Sequence, residues 1–94
     1  MKLAIEHLEF PSVLKSKLNK YINTSKINIE YLNGSIIKLS NTNLGVINPH
    51  KVIVSNAKTF LIGYVYDNEE YIYIKEVNEK ITISKFITCV NSLM

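Results

Sequence analysis

The chain has 94 residues, 47% of them hydrophobic and 20% charged, with a net charge of +3 and a pI near 9.0. This length holds one domain with a modest core, and the composition excludes an intrinsically disordered chain. Every basic residue is lysine, which excludes bidentate guanidinium recognition of guanine or phosphate and leaves anions to lysine point charges and backbone amides.

Met1 to Phe10 has a mixed pattern, with Leu3, Ala4 and Leu8 falling on one helical face before Pro11 ends the segment. Glu6 and Glu9 interrupt its apolar character and argue against a signal peptide. From Pro11 the spacing of Leu14, Leu18, Tyr21 and Ile22 predicts an amphipathic helix, so residues 1–26 read as a helical N-terminal segment. Lys15, Lys17 and Lys20 take its other face, either as a solvated surface or as a contact for nucleic acid.

Ile27, Ile29 and Tyr31 alternate with Asn28 and Glu30 as in a half-buried strand. Asn33-Gly34 then predicts a tight type I′ hairpin, with Ser35 to Ser40 as the returning strand and Asn41 to Gly45 as a loop. Val46 to Val54 reads as a strand interrupted by Pro49 at an edge, bend or bulge. The next strand, Thr59 to Tyr66, is apolar on both faces: Phe60, Ile62, Tyr64 and Tyr66 point one way, Leu61, Gly63 and Val65 the other. Such a strand needs cover on both sides, as in a small closed barrel or under a helix. Asp67 to Glu70 forms a turn, and Ile72 and Ile74 then oppose Tyr71, Tyr73 and Lys75. Beyond Val77 the pattern loosens, until Ser84 as N-cap opens a short C-terminal helix carrying Phe86, Ile87, Val90, Leu93 and Met94. Cys89 lies in that helix and reads as a buried structural thiol; a lone cysteine excludes an internal disulfide and a cysteine-based zinc site.

The expected fold is mainly β with flanking helices (α+β). One domain spans residues 1–94, with a five-stranded barrel over 27–77 and a C-terminal strand and helix segment over 78–94. No apolar run approaches transmembrane length, and a cytoplasmic protein is the expectation.

Motifs for catalysis are missing. Of the two histidines, His7 and His50, His50 follows Pro49 directly and reads as an exposed or hydrogen-bonded structural residue in preference to a general base. The acidic cluster Asp67, Glu69 and Glu70 has no convincing ligand spacing for a metal, and no phosphate loop or nucleophile elbow occurs. The chain therefore reads as a non-enzyme with no cofactor. Tyr64, Tyr66, Tyr71, Tyr73 and Lys75 share a face if their two strands pair. Aromatic rings interleaved with lysine supply the stacking and positive charge that a nucleotide or single-stranded nucleic acid needs. The alternative is that these tyrosines are good strand formers that half-bury a ring.

The order Ile29-Glu30-Tyr31, Gly34, Val46-x-x-Pro49 with Val52, Thr59-Phe60-Leu61-Ile62-Gly63-Tyr64, then Ile72-Tyr73-Ile74-Lys75-Glu76-Val77 resembles the WYL domain over about residues 10 to 88. Thr59, Phe60 and Leu61 match the triplet that names that family. The resemblance implies an Sm-like, SH3-type β-barrel with a helix before its first strand. It also implies a ligand-sensing regulatory module of the kind found in bacterial transcription factors and around CRISPR and other defence systems. Tyr73 and Glu76 stand where the family's pocket arginines fall, and Gly45-Val46 replaces the usual arginine before the proline, with Lys75, Lys51 and His50 as the remaining polar candidates for the pocket. The segment before the first strand leaves no room for a winged helix, so a stand-alone domain is expected.

Two functions follow. The first is a regulatory module binding an anionic ligand, nucleotide or single-stranded nucleic acid on the Tyr/Lys face. The second is a protein-interaction module, of the kind a phage or mobile element could use to modulate a host defence or transcription complex. A homodimer through an edge strand is compatible with both, and no membrane partner is expected.

Overall fold

The organising feature of the structure, a computed structural model that describes residues 2–66 and 70–93, is one long β-hairpin that serves two sheets. Its first limb is β2 (Asn28–Leu32) followed by β3 (Gly34–Leu39), and its second is β4 (Thr42–Asn48) followed by β5 (His50–Ser55). The limbs join at a two-residue turn, Ser40-Asn41, where Ser40 takes a left-handed φ of 56°. Leu32 lies opposite Lys51 and Ser35 opposite Asn48, so no residue is gained or lost where the hairpin crosses between sheets. The remaining elements are β1 (Leu3–Leu8), α1 (Ser12–Tyr21), β6 (Phe60–Val65), β7 (Tyr71–Ile74), a 3-10 turn at Lys75–Val77, β8 (Glu79–Thr82) and α2 (Ile83–Leu93).

The near half of the hairpin belongs to an antiparallel five-stranded sheet ordered β2-β5-β6-β7-β8, and the far half, with β1, makes a three-stranded sheet ordered β1-β3-β4. The outer strands β2 and β8 do not pair, so the larger sheet is open, and the expected closed five-stranded barrel is replaced by two antiparallel sheets.

Helices α1 and α2 cover one face of the five-stranded sheet. Leu14, Leu18 and Ile22 from the α1 side and Phe86 and Val90 from α2 meet Val52, Val54, Val65, Ile72, Ile74 and Ile81 in one apolar cluster. These sites follow a 3.6-residue period on the helices and a period of two on the strands, which places all of them toward one layer. Burying each such side chain contributes about 1.5–3 kcal/mol, which fixes the helices on that side. Pro11 precedes α1, and the Thr82 hydroxyl, not Ser84, caps α2 by accepting from the Lys85 N–H at 3.2 Å. No helix among the described residues is long and apolar enough to cross a membrane.

Several local expectations are corrected. Residues 3–8 form a strand, so the N-terminal segment is helical only from Ser12. The almost wholly exposed pattern of β1 shows why helical periodicity misled: neither face meets the core, and pairing with β3 decides its conformation. Asn33-Gly34 is not a turn. The Asn33 Oδ1 accepts from the Phe10 N–H at 2.8 Å, and the Gly34 N–H donates to His50 Nδ1 at 2.8 Å. A Cβ at Gly34 would sit 2.6 Å from the Asn48 carbonyl oxygen and 2.9 Å from the His50 backbone nitrogen, so glycine is needed for close approach and not for a positive φ. Asn41 to Gly45 is mostly strand, with Gly45 in the middle of β4 at φ 146°. Of the predicted turn and acidic cluster at Asp67 to Glu70, residues 67–69 lie outside the described residues.

The three-stranded sheet is an arm. The molecule's principal extents, 49 × 24 × 22 Å, are markedly unequal, and its radius of gyration of 14.6 Å exceeds the roughly 12 Å of a compact chain this long. Only the root of the arm, at Gly34, Ser35 and Ile36, is buried, while Leu3 and Ile5 are each 62% exposed.

Candidate functional site

The face of the five-stranded sheet turned away from the helices is open, and the strand register builds a row across it. Lys51 lies opposite Tyr64, Tyr64 opposite Tyr73, and Tyr73 opposite Lys80. Each step joins neighbouring strands, so the row crosses β5, β6, β7 and β8 and spans about 14 Å from three strand spacings of about 4.8 Å. Directly opposed side chains in antiparallel strands touch, and here the pairing sets two rings between two ammonium groups. The Tyr64 and Tyr73 rings stand 6.5 Å apart, tilted by 52°. The Lys51 Nζ sits 5.7 Å from the Tyr64 ring centroid, and the Lys80 Nζ sits 5.1 Å from that of Tyr71. Both lie within the range where a cation is held by a ring's negative face.

Local structure explains why Lys80 arrives there. After β7 the chain makes its 3-10 turn, and Asn78 takes the left-handed conformation at φ 51°, with its N–H donating to the Lys75 carbonyl. Asparagine tolerates that region better than most residues. The Tyr73 hydroxyl donates to the Asn78 side-chain oxygen, which ties the ring to the turn that returns β8. Sequence reasoning missed Lys80 because Val77 to Ser84 read as a loosened pattern. The available signal was the short alternation Lys80-Ile81-Thr82, with only Ile81 apolar and buried.

Of the residues singled out from sequence, Tyr64, Tyr66, Tyr71 and Tyr73 converge, and together with Lys80 they line a cavity of about 120 Å³. Lys51 flanks the same cluster. Lys75 lies in the 3-10 turn, exposed, and does not line that cavity. His50 is on the other side of the sheet, only 2% exposed, accepting from Gly34 at Nδ1 and standing edge-on to Phe10 with centroids 5.6 Å apart. It is a joint of the fold and not part of the tyrosine surface. Phe60, at the start of the row's strand, is 65% exposed, so the face expected to be covered is in fact solvent-facing.

Tyr71 also borders a larger cleft of about 720 Å³ between the start of α1 and the β8–α2 junction, lined among others by Glu9, Val13, Lys17, Glu70 and Ser84. With two carboxylates against one ammonium, that cleft does not favour an anion. The tyrosine cavity itself is well below the roughly 300–1,000 Å³ of an enclosing small-molecule pocket. It is a platform with charged ends. Among the described residues no grouping of histidine, cysteine and carboxylate side chains could hold a metal ion. On the core side, Tyr31 donates from its hydroxyl to Asn19 Oδ1 at 2.7 Å, and burial pushes its phenol above the ordinary tyrosine range. Cys89 is half-buried in α2.

No family model matches the chain, and neither a curated protein nor a solved structure does.

Proposed function

We propose that this protein is a non-catalytic, cytoplasmic binding module whose open sheet face receives single-stranded nucleic acid or a nucleotide. The observation that carries the reading is the Lys51–Tyr64–Tyr73–Lys80 row. Tyrosine rings offer π-faces to bases of any identity, and the flanking lysines meet the phosphates on either side. The small volume of the tyrosine cavity favours a strand laid across a platform over a ligand enclosed in a pocket. With lysine as the sole cation, the platform would read charge and stacking in preference to base identity.

The resemblance to WYL domains supports the same direction, a ligand-responsive regulatory module. The segment Thr59-Phe60-Leu61 enters β6 and leads directly to Tyr64, and the Sm-like architecture of that family would be met here in open form.

The test is titration of fluorescent homopyrimidine oligonucleotides at several salt concentrations. Tyr64→Ala and Tyr73→Ala should each weaken binding by about 1–3 kcal/mol, roughly 5- to 150-fold. Lys51→Ala and Lys80→Ala should each lower the salt slope by about 0.7, the value for one phosphate contact on a single strand. Absence of binding at low salt, with the folded state verified by circular dichroism, would overturn the proposal.

A second reading, a protein-interaction module, is favoured by the arm, where Leu3, Ile5, Leu44, Val46 and Ile47 are exposed. It requires a complex that survives nuclease treatment and is lost on Leu3→Lys/Ile5→Lys.

A further inference from the structure

The arm has two outer strands, β1 and β4, and they are not alike. β4 is irregular, with register shifts at two places along its pairing with β3 and a positive-φ glycine at Gly45. Bulges of this kind blunt an edge against further pairing. β1 pairs with β3 in perfect register from Leu3 to Leu8, without a bulge or proline. Its outer side is a regular row of backbone groups beside exposed Leu3 and Ile5, and among the described residues nothing pairs with it.

We propose that this edge is a self-recognition surface, pairing antiparallel with β1 of a second copy about a two-fold axis centred on Ala4. The register follows from symmetry and charge. Identical strands related by a two-fold axis keep each side chain on its own face, so the axis must pass through a residue and not between two. Centring on Glu6 would oppose two carboxylates directly, which is destabilising. Centring on Ile5 would set Ala4 opposite Glu6 and Leu3 opposite His7, leaving the charges unmatched. Centring on Ala4 sets Lys2 opposite Glu6, Leu3 opposite Ile5, and the smallest side chain against itself at the axis.

The surroundings fit this register. Glu6 already receives Lys38 Nζ at 2.9 Å from the neighbouring strand, so Lys2 of the second copy would complete a Lys-Glu-Lys chain across the junction. On the opposite face, Leu3 and Ile5 lie beside Leu39 and Ile37. Pairing would run this apolar stripe into its symmetry mate across a six-stranded sheet ordered β4-β3-β1-β1-β3-β4. Ala4 lies toward the tip of the arm, whose root is at Leu8 and Gly34, so the helical bodies fall at opposite ends of the joined arms.

Sedimentation velocity from micromolar to near-millimolar protein tests this. The native chain should show a monomer–dimer equilibrium. Lys2→Glu and Glu6→Lys should each weaken self-association by about tenfold or more, since each turns two attractive cross-strand pairs into repulsive ones. Mixing the two variants should restore dimers, because both charged pairs across the junction then join a carboxylate of one variant to an ammonium of the other. A purely structural role for these residues would not produce recovery on mixing. A monomer throughout the range, or dimers indifferent to both substitutions and to mixing, would overturn the proposal.

Discussion

Gly63 is where the core can be tested most directly. It lies in β6 on the side facing the helices, one residue before the platform tyrosine Tyr64. A Cβ added there would stand 2.5 Å from Ile72 Cγ2, 3.1 Å from Val52 Cγ1 and 3.5 Å from Phe86 Cε1. Carbon contacts are comfortable at about 3.5–4.0 Å, so the Ile72 methyl is overlapped by about 1 Å or more. Ile72, Val52 and Phe86 are all fully buried, which leaves them little room to yield. Overpacking of this kind costs about 1–3 kcal/mol, while replacing glycine by alanine recovers about 0.4–1 kcal/mol through the unfolded chain. Gly63→Ala should therefore lose about 1–2 kcal/mol, a fall in Tm of about 4–16 °C for a domain of this size. Urea unfolding followed by tyrosine fluorescence and circular dichroism measures it. Leucine has no methyl at the Cγ2 position, so Gly63→Ala combined with Ile72→Leu should lose less than the sum of the single substitutions. A Gly63→Ala variant as stable as the parent, or strict additivity in the double variant, would refute this account of the packing.

Two further outcomes are expected. Gly34→Ala should be more damaging than Gly63→Ala, at about 3 kcal/mol or above, because its Cβ meets the Asn48 carbonyl and the His50 backbone, which cannot rotate away; a smaller change in urea midpoint than for Gly63→Ala would contradict the close backbone approach at the crossing. Burial raises the Tyr31 phenol above its unfolded value, so from about pH 10 the unfolded chain loses that proton before the folded one does. The resulting stability is fully present below that pH and is lost as pH rises through the folded value; Tyr31→Phe should flatten this alkaline loss, measured by urea midpoints across pH, and an unchanged slope would exclude Tyr31 as its source.

What the sequence made legible were the elements whose periodicity is set by burial. α1 shows its core face in Leu14, Leu18 and Ile22, and α2 shows one in Phe86 and Val90. β6 and β7 were readable as strands, and with them the tyrosine face. The pairing of strands was less legible, because it depends on contacts distant in sequence. Asn33-Gly34 carries the strongest local hairpin signal, yet β2 runs on into β3 with hardly a pause, and the turn sits at Ser40-Asn41. The decisive interaction there is the Gly34 N–H to His50 Nδ1 bond, sixteen positions away, and no local propensity encodes it. Pro49 did mark the interruption between β4 and β5 in the second limb. β1 was illegible for a different reason: a strand with both faces exposed has no period to read.

The same crossing explains why platform and arm can coexist in so short a chain. A strand pair without a packed face is marginal in water, and even three strands need apolar cover to stand alone. The arm has little, so its order depends on its root, where Gly34, Ser35 and Ile36 are buried against the body and Asn48 Nδ2 donates to the Ser35 hydroxyl. The backbone ladder breaks at the crossing, between Leu32–Lys51 and Ser35–Asn48, but the limbs keep register through it, and the Gly34 N–H bond to His50 Nδ1 bridges the break. The arm is thus held in place by strands whose near halves carry the core residues Val52 and Val54 and the platform residue Lys51. His50 sits at the meeting point, facing the core where Lys51 faces solvent. One alternating strand therefore supplies the joint at His50, the core residues Val52 and Val54, and Lys51 on the tyrosine face.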